Sequence, residues 1–112
     1  MLDDYDFSGF HILDCPQCGG ILKPDVVFFG ESVPKERVQM AMQYLQESAA
    51  LLVVGSSLMV YSGYRFCRAA TKAGLTLAAL NRGRTRADAE LQLKIEDDCG
   101  DVLEATTKLL GL

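Results

Sequence analysis

The chain has 112 residues, of which 49% are hydrophobic and 23% are charged, proportions typical of a single globular domain. These values exclude a collagen-like or wholly disordered chain, and the apolar stretches are too short for a transmembrane span of about 20 residues. Eleven Lys and Arg residues against fifteen Asp and Glu residues give a net charge of −4. We therefore predict neither direct nucleic-acid binding nor a membrane partner.

Residues 1–14 are acidic, contain scattered aromatic side chains and have no regular period, so a loop or short extended segment is predicted. This segment lacks the basic and apolar regions of a signal peptide and the arginines of a transit peptide. We expect a cytoplasmic location, with mitochondria as the alternative. In a reducing compartment, close cysteine pairs more often bind metal or carry out redox chemistry than form structural disulfides.

The segment CPQCGG (15–20) predicts a tight turn, because proline and paired glycines supply unusual backbone angles. Cys15 and Cys18 can occupy adjacent vertices of a zinc tetrahedron, and a structural zinc site takes four nitrogen or sulfur ligands. Cys67 and Cys99 lie far along the chain and give no second pair. Half of a zinc ribbon is therefore predicted, with a thioredoxin-type redox pair and an incidental turn as the alternatives.

Two elements are predicted before residue 50. The apolar run 25–29, rich in β-branched and aromatic residues, predicts a buried strand or extended segment that ends at Gly30. Ser32-Val33-Pro34 then opens a helix, since proline is favourable in a first turn. One face of that helix is expected to be buried, because apolar residues recur at helical spacing at Val38, Ala41, Met42 and Leu45.

The next elements alternate between strand and helix. The continuous apolar run 51–54 predicts a strand of a parallel sheet covered on both faces. A helix follows from about Ser62 to a C-cap at Gly74, then a strand at 75–80. The buried face of that helix is expected to contain Phe66, Ala69, Ala70 and Ala73.

The last elements are a weaker, partly polar strand at 92–95, placed at a sheet edge, and a helix over about 101–110. The inward residues of this helix are expected to be Val102, Leu103, Thr106, Leu109 and Leu110. This order of elements is typical of an α/β layer fold with right-handed crossovers. Ligands of such folds bind at the carboxyl ends of the strands.

Small and polar residues follow two of these strands. Gly55, Ser56 and Ser57 offer backbone N–H groups and hydroxyls that can approach a phosphate or ribose, although an ordinary strand-to-helix turn is the alternative. Asn81 could bind a ribose hydroxyl or simply cap its turn. No dinucleotide glycine fingerprint, phosphate loop or hydrolase serine elbow is present.

The remaining basic residues carry weaker signals. Arg82, Arg84 and Arg86 form a small basic cluster in the sequence, and a solvated surface loop is favoured over a phosphate site. His11 is the only histidine, and no acidic or nucleophilic partner lies at a recognisable spacing from it. We therefore interpret His11 as non-catalytic.

Four ordered motifs together resemble the sirtuins, the NAD-dependent protein-lysine deacylases. The motifs are CPQCGGILKPDVVFFGE (15–31), LLVVGSSLMV (51–60), Leu80-Asn81 and Asp98-Cys99-Gly100. They follow the family's order and spacing across nearly the whole chain, so their combination is more specific than any one motif. Many sirtuins carry a proline soon after the second motif. The segment VYSGYRF (60–66) has none and most resembles the class II, sirtuin-4-like branch.

The resemblance implies a partial Rossmann-like parallel sheet with helices on both faces at 25–112, preceded by the second half of a zinc-binding module at 1–24. It also implies the cofactors NAD and Zn²⁺, with Cys15 and Cys18 as two of four zinc ligands. Contacts to NAD ribose and phosphates are implied for Gly55, Ser56 and Ser57. Contacts to the adenosine ribose are implied for Asn81, Arg82 and Gly83, and contact with adenine for the backbone of Cys99.

An acyl-lysine protein or peptide substrate is also implied, held by strand addition on both sides. One side of the groove would be Val26, Val27, Phe28, Phe29, Gly30 and Glu31. The other side would be Leu58, Met59 and Val60.

The family's first NAD loop, catalytic histidine and first cysteine pair have no match in this sequence, and His11 falls in the zinc-module loop. The resemblance therefore implies the C-terminal portion of a deacylase, without a catalytic residue and inactive by itself. A non-catalytic nucleotide- or peptide-binding module and a zinc-stapled interaction domain are the alternatives. Because a partial sheet exposes unpaired edges, we also expect self-association through such an edge.

Overall fold

The computed structural model describes residue 6 and residues 8–112, and the chain divides into two compact units between Val33 and Pro34. We call them the N-terminal unit and the sheet unit. The helices and strands of the described residues all lie in the sheet unit. In chain order they are α1 (Lys35–Gln46), β1 (Ala50–Val54), α2 (Tyr61–Lys72), β2 (Thr76–Leu80), a short 3-10 helix (Asp88–Glu90), β3 (Leu93–Ile95) and α3 (Cys99–Leu110).

The three strands form one parallel sheet in the order β1-β2-β3. Leu51 of β1 lies beside Leu77 of β2, and Leu80 of β2 lies beside Ile95 of β3. The predicted parallel α/β architecture is confirmed, and β3 is an edge strand as expected. Among the described strands, β1 forms the other edge.

The core lies on one face of this sheet. Leu51 and Val53 of β1 point to the same side as Leu77 and Ala79 of β2, because alternate residues of paired strands share a face. Helix α2 packs against both strands and against α1. Cys67 of α2 is fully buried in this cluster.

The opposite face of the sheet differs from the prediction. On β1, Leu52 is 57% exposed and Val54 is 40% exposed, and Leu93 and Ile95 of β3 on the same face are exposed as well. The prediction that β1 is covered on both faces is therefore wrong for the described part of the chain. An uninterrupted apolar run indicates that a strand can be covered on two sides, but a second packed layer must supply the cover.

The apolar face of α3 is also more exposed than predicted. Leu103, Thr106, Leu109 and Leu110 are exposed, Leu109 to 88%, and only Val102 of the predicted inward residues is partly buried. Helical spacing identifies an apolar stripe, whereas burial requires a neighbouring surface. The helix itself begins at Cys99, two residues before the predicted start.

The first predicted strand is absent. Residues 25–29 form no strand, and Phe29 and Gly30 lie in a turn. The apolar side chains of this segment are exposed, because the described part of the N-terminal unit contains only one isolated bridge, Asp14 to Ile21, and no sheet. β-propensity indicates that a segment fits a sheet surface, which needs a partner strand.

Helix α1 follows the sequence prediction closely, whereas on the predicted buried face of α2 only Ala70 is buried, Phe66 and Ala69 are partly buried and Ala73 is exposed. Pro34 precedes α1 with a φ of −51°, and the predicted face has Leu45 buried and Val38, Ala41 and Met42 partly buried. Helix α2 starts one residue earlier than expected, and Gly74 follows its end with a φ of +74°. Among the described residues, no helix is long and apolar enough to cross a membrane.

Candidate functional site

The loops that follow the strands meet around the carboxyl end of β2. The backbone N–H of Gly55 donates to the carbonyl of Leu80 at 2.9 Å, and the N–H of Asn81 donates to the carbonyl of Ile95 at 3.0 Å. The thiol of Cys99 lies 3.5 Å from the same Leu80 carbonyl. Gly55, Asn81 and Cys99, which are distant in sequence, are thus brought together at one edge of the sheet.

Gly55 makes the first of these loops. Its φ is +64°, a left-handed conformation that residues with a Cβ rarely adopt. An added Cβ would lie 3.8 Å from the sulfur of Cys99, so the space is open and the backbone conformation is what requires glycine. Gly55 is also exposed, so its backbone is accessible to a ligand that approaches the end of the sheet.

The second and third loops are fixed by their own side chains. The Asn81 amide nitrogen donates to the Gly83 carbonyl at 3.0 Å and closes a turn. Asp98 caps α3 by accepting from the N–H groups of Gly100 and Asp101, at 2.8 and 3.1 Å. These backbone bonds, from Asp101 first, lower the pKa of Asp98.

The three arginines do not converge on one anion site. Arg82 pairs with Asp98 at 2.9 Å, and the Arg86 guanidinium lies over the Tyr64 ring, 4.5 Å from its centroid. Arg84 is exposed. All three arginines are exposed, as the favoured interpretation as a surface loop predicts, and Arg82 and Arg86 also have defined partners.

The family resemblance predicts that the segment 58–60 forms one side of the substrate groove. The side chain of Leu58 is buried in the core cluster, while Met59 and Val60 are exposed. Only the last two therefore present side chains that a peptide could contact directly.

Sequence reasoning missed Thr85 and Asp88, which close the loop after Asn81-Arg82-Gly83. The N–H and the hydroxyl of Thr85 both donate to one Asp88 carboxylate oxygen, at 3.0 and 2.6 Å, and Lys94 contacts the other at 2.8 Å. The Lys94 bond, followed by the Thr85 hydroxyl bond, lowers the pKa of Asp88 from 3.8 to about 2. The Thr-x-x-Asp spacing was a usable signal, because it is typical of side chain-to-backbone turns.

In the N-terminal unit, Cys15 and Cys18 lie in one tight turn. The Gly19 N–H donates to the Cys15 carbonyl at 2.8 Å, the Cys15 N–H donates to Gly20 at 2.9 Å, and Gly19 has a φ of +67°. The backbone N–H groups of Cys18 and Gln17 donate to the Cys15 sulfur and lower the pKa of that thiol. The turn therefore favours the thiolate, which is the form that binds zinc.

This donor set fits two zinc ligands and no more. Within the described ranges, no group of three or more His, Cys, Asp and Glu side chains is arranged to hold a metal ion. Cys67 is buried in the core, and burial raises the pKa of its thiol. His11 is exposed.

The other segment assigned to the substrate groove, 26–31, also lies in the N-terminal unit. Glu31 closes a turn by accepting from the Phe28 N–H at 3.1 Å and by pairing with Lys23. The Lys23 bond, then the Phe28 bond, lowers the pKa of Glu31. Val26, Val27, Phe28 and Phe29 are exposed, Phe29 to 97%, so the segment displays apolar side chains.

The sheet unit also contains an open pocket of about 540 Å³ beside α2. None of the predicted site residues lines it. Its walls are Tyr61, Arg68, Ala69, Thr71, Lys72 and Glu90.

The sequence matches a family model described as the Sir2 family over residues 5–62, more than half of the chain. An NAD-dependent protein deacetylase of Xanthomonas campestris pv. campestris (strain 8004) is 62% identical over 102 residues, covering 91% of this chain and 35% of the relative. An NAD-dependent protein deacylase of Arabidopsis thaliana is 53% identical over 96 residues, covering 86% and 26%. The chain thus spans between about a quarter and a third of the length of these two curated relatives.

Solved structures of Sir2 proteins are also similar to this chain. A structure of Sir2 with a p53 peptide and NAD⁺ superposes with a TM-score of 0.77 at 28% identity, covering 88% of this chain and 41% of the other. A structure of Sir2 bound to an acetylated peptide has a TM-score of 0.79 at 27% identity, with 89% and 42% covered. The three-stranded parallel sheet and its helices are thus those of a known α/β fold.

Proposed function

This chain belongs to the Sir2 family, and on that premise we propose that it forms the C-terminal portion of an NAD-dependent protein-lysine deacylase. The observation that carries the proposal is the convergence of Gly55, Asn81 and Cys99 at the carboxyl edge of the sheet. In parallel α/β sheets this edge is where nucleotides bind. The relatives named as deacetylases and deacylases are about three times as long. The activity is therefore proposed for a protein of their length and not for these 112 residues alone.

The residues at this edge fit the ribose and adenine side of NAD. The open left-handed backbone at Gly55 admits a close approach, and Ser56 and Ser57 add hydroxyls next to it. The turn closed by Asn81 and Gly83 would hold the adenosine ribose, with Arg82 beside it and the Cys99 backbone at the adenine. Bound NAD would supply the electrophilic carbon of the nicotinamide ribose, which is the atom that the acyl oxygen of the substrate attacks. The contribution of these residues is to bind and orient.

Two exposed segments, one in each unit, are each proposed to pair with the main chain of an acyl-lysine peptide. Met59 and Val60 are exposed in the sheet unit, and Val26 to Phe29 display apolar side chains in the N-terminal unit. Strand addition uses main-chain hydrogen bonds for affinity and leaves side-chain pockets for selectivity. Assignment to the class II, sirtuin-4-like branch rests on the segment 60–66 and belongs to the same proposal.

Two measurements on the purified chain test this function. With NAD and an acetyl-lysine peptide we expect no turnover, because no residue here matches the family's catalytic histidine; robust turnover would contradict the proposal. With ADP-ribose we expect weak binding that shifts the amide NMR signals of Gly55, Asn81 and Cys99. Asn81→Ala should abolish these shifts, and Thr107→Ala on the exposed side of α3 should retain them.

The competing function is a non-catalytic nucleotide-binding module. Tight binding of ADP-ribose by the chain alone, in the micromolar range or better, would favour the module over an incomplete enzyme. Absence of any ADP-ribose binding would count against both.

We also propose that Cys15 and Cys18 provide two of the four ligands of a structural zinc site. The support is the turn geometry, which stabilises a thiolate at Cys15. Zinc affinity, measured by competition with a chromogenic chelator, should fall at least about tenfold in Cys15→Ser. It should be unchanged in Cys67→Ala, which removes a thiol from the core of the sheet unit. Equal affinity in Cys15→Ser and the original chain would refute this role.

A second arrangement of the same pair is a zinc-stapled interaction domain, in which two chains each donate one pair. Within the described ranges no third ligand group accompanies this pair, and both arrangements take the other two ligands from elsewhere. Sedimentation distinguishes the two, since only the stapled form requires a dimer that appears with zinc and is lost in Cys15→Ser. Self-association through the sheet edge would persist without zinc. A cytoplasmic location, with mitochondria as the alternative, stays a prediction.

A further inference from the structure

Leu58 has an unusual backbone conformation in the loop after β1. Its φ is +57°, and it is the one non-glycine residue with a positive φ in the described ranges. A Cβ makes this left-handed region unfavourable, and such residues persist only where the surroundings impose the conformation. Leu58 separates Gly55-Ser56-Ser57, proposed for NAD, from Met59 and Val60, proposed for the peptide. The conformation of Leu58 therefore decides how both groups are presented.

Several contacts impose this conformation. The Leu58 side chain is buried in the core, and its N–H donates to the Ser56 hydroxyl at 3.2 Å. The carbonyls on either side of Leu58 are both held by Arg86. Its backbone N–H donates to the Ser57 carbonyl at 2.9 Å, and its guanidinium donates to the Met59 carbonyl at 3.1 Å.

Arg86 is in turn held on both sides. It lies between Thr85 and Ala87, which are buried, so its backbone is anchored. Its guanidinium lies over the Tyr64 ring of α2. The Tyr64 hydroxyl donates to Glu90, whose other carboxylate oxygen accepts from the Thr71 hydroxyl at 3.0 Å. The Met59 carbonyl is thus connected through Arg86 and Tyr64 to α2 and to the short 3-10 helix.

We propose that Arg86 is a positioning residue that fixes the strained Ser57–Leu58–Met59 turn and so aligns the nucleotide-facing and peptide-facing parts of this loop. The identity of the two ligands rests on the proposed function, whereas the fixing of the turn does not. Lysine is a poor replacement, because only a planar guanidinium combines a directed hydrogen bond with stacking on an aromatic ring.

Amide hydrogen exchange measured by NMR tests the fixing of the turn. In Arg86→Gln we expect exchange at the Leu58 and Arg86 amides to become about tenfold faster, the effect of losing one hydrogen bond to a charged donor. Arg86→Lys should give an intermediate increase. The amides of Leu77 and Ala79 in β2 should be unaffected, as should all amides in Arg84→Gln, the matched control in the same exposed loop.

Two outcomes would overturn the role of Arg86 in the turn. One is unchanged exchange at Leu58 in Arg86→Gln. The other is an equal acceleration in β2, which would show that Arg86 supports the whole unit and does not act on the turn specifically.

A titration with ADP-ribose tests the consequence for ligand binding. We expect Arg86→Gln to bind about fivefold more weakly than the original chain, and Arg84→Gln to bind equally. Equal binding by Arg86→Gln would overturn the alignment role. If the original chain does not bind ADP-ribose at all, the proposed function fails, and the exchange data still decide whether Arg86 fixes the turn.

Discussion

The two units use their apolar residues in different ways. In the sheet unit, Leu77 of β2 and Cys67 of α2 are fully buried, and the strands and helix bury one another. In the described part of the N-terminal unit, large apolar side chains are exposed, among them Phe10, Ile12, Leu13, Ile21 and Phe29. The structure of that unit comes from turns, such as the one around Cys15 and the one closed by Glu31.

The two candidate sites differ in the same way: the zinc site depends on local turn structure, and the nucleotide site depends on tertiary structure. The cysteine turn is local, because the six consecutive residues 15–20 and their backbone bonds suffice to place both sulfurs. The candidate nucleotide site is tertiary, since Gly55, Asn81 and Cys99 come together only when three parallel strands are in register. Damage to the core should therefore affect the second site and spare the first.

Truncating the core is expected to have the largest effect. Leu77→Ala should lower the free energy of unfolding of the sheet unit by about 2–5 kcal/mol, because it leaves a cavity at a fully buried position. Urea denaturation followed by far-UV circular dichroism measures this change. Phe29→Ala, in the exposed segment of the N-terminal unit, should change the same quantity by less than about 0.5 kcal/mol. Similar losses of unfolding free energy in both variants would contradict the distinction between the two units.

A smaller effect is expected from two glycines with nearly the same left-handed conformation, Gly55 at +64° and Gly19 at +67°. An added Cβ meets only Cys99 at 3.8 Å in the first case and nothing within 4 Å in the second, so both substitutions test backbone strain and not a clash. Gly55→Ala should lower the unfolding free energy of the sheet unit by about 1–2 kcal/mol. Gly19→Ala should leave it unchanged and weaken zinc binding at Cys15 and Cys18 instead. A reversed pattern would contradict the assignment of local order to the N-terminal unit.

The smallest effect concerns pH. The pKa of Asp88 is about 2 in the folded chain against an ordinary value of 3.8, so its contribution to stability is present above about pH 4 and is lost as the pH falls towards 2. Asp88→Asn should lower stability at neutral pH and flatten the acid side of the stability profile in that window. Lys94→Met should flatten it too, because the Lys94 bond is the first cause of the shift. A profile identical to that of the original chain would show that this pair does not stabilise the loop.

Much of the sheet unit could be predicted from local pattern. The apolar face of α1, the glycine that ends α2 and the strands at 51–54 and 75–80 all follow from spacing and turn residues. These elements could be predicted because their local secondary-structure propensity agrees with the tertiary contacts that they make in the fold. The predicted strand at 25–29 failed because its apolar residues have no partner strand in the described part of the N-terminal unit.

Some residues of the candidate sites could likewise be predicted from local sequence, and others could not. Glycine and hydroxyl residues after a strand were visible in the sequence, as were the two cysteines. The actions of Thr85, Asp88 and Arg86 were not, since a carboxylate six residues before Lys94 and a guanidinium over a ring of α2 are contacts that only folding creates. The side chain of Leu58 likewise turned out to be in the core.

The amino-acid sequence by itself determined the class of the fold, the order of its elements within the sheet unit, the cysteine turn and the family, because these depend on spacing and residue type. Tertiary structure decided which faces are covered, how the ends of three strands meet, and that a buried leucine adopts a left-handed conformation. Those features depend on contacts between residues far apart in the chain, and a contact has no local signature. The 112 residues thus form one small core on one face of the sheet, and apolar side chains on the other face are exposed.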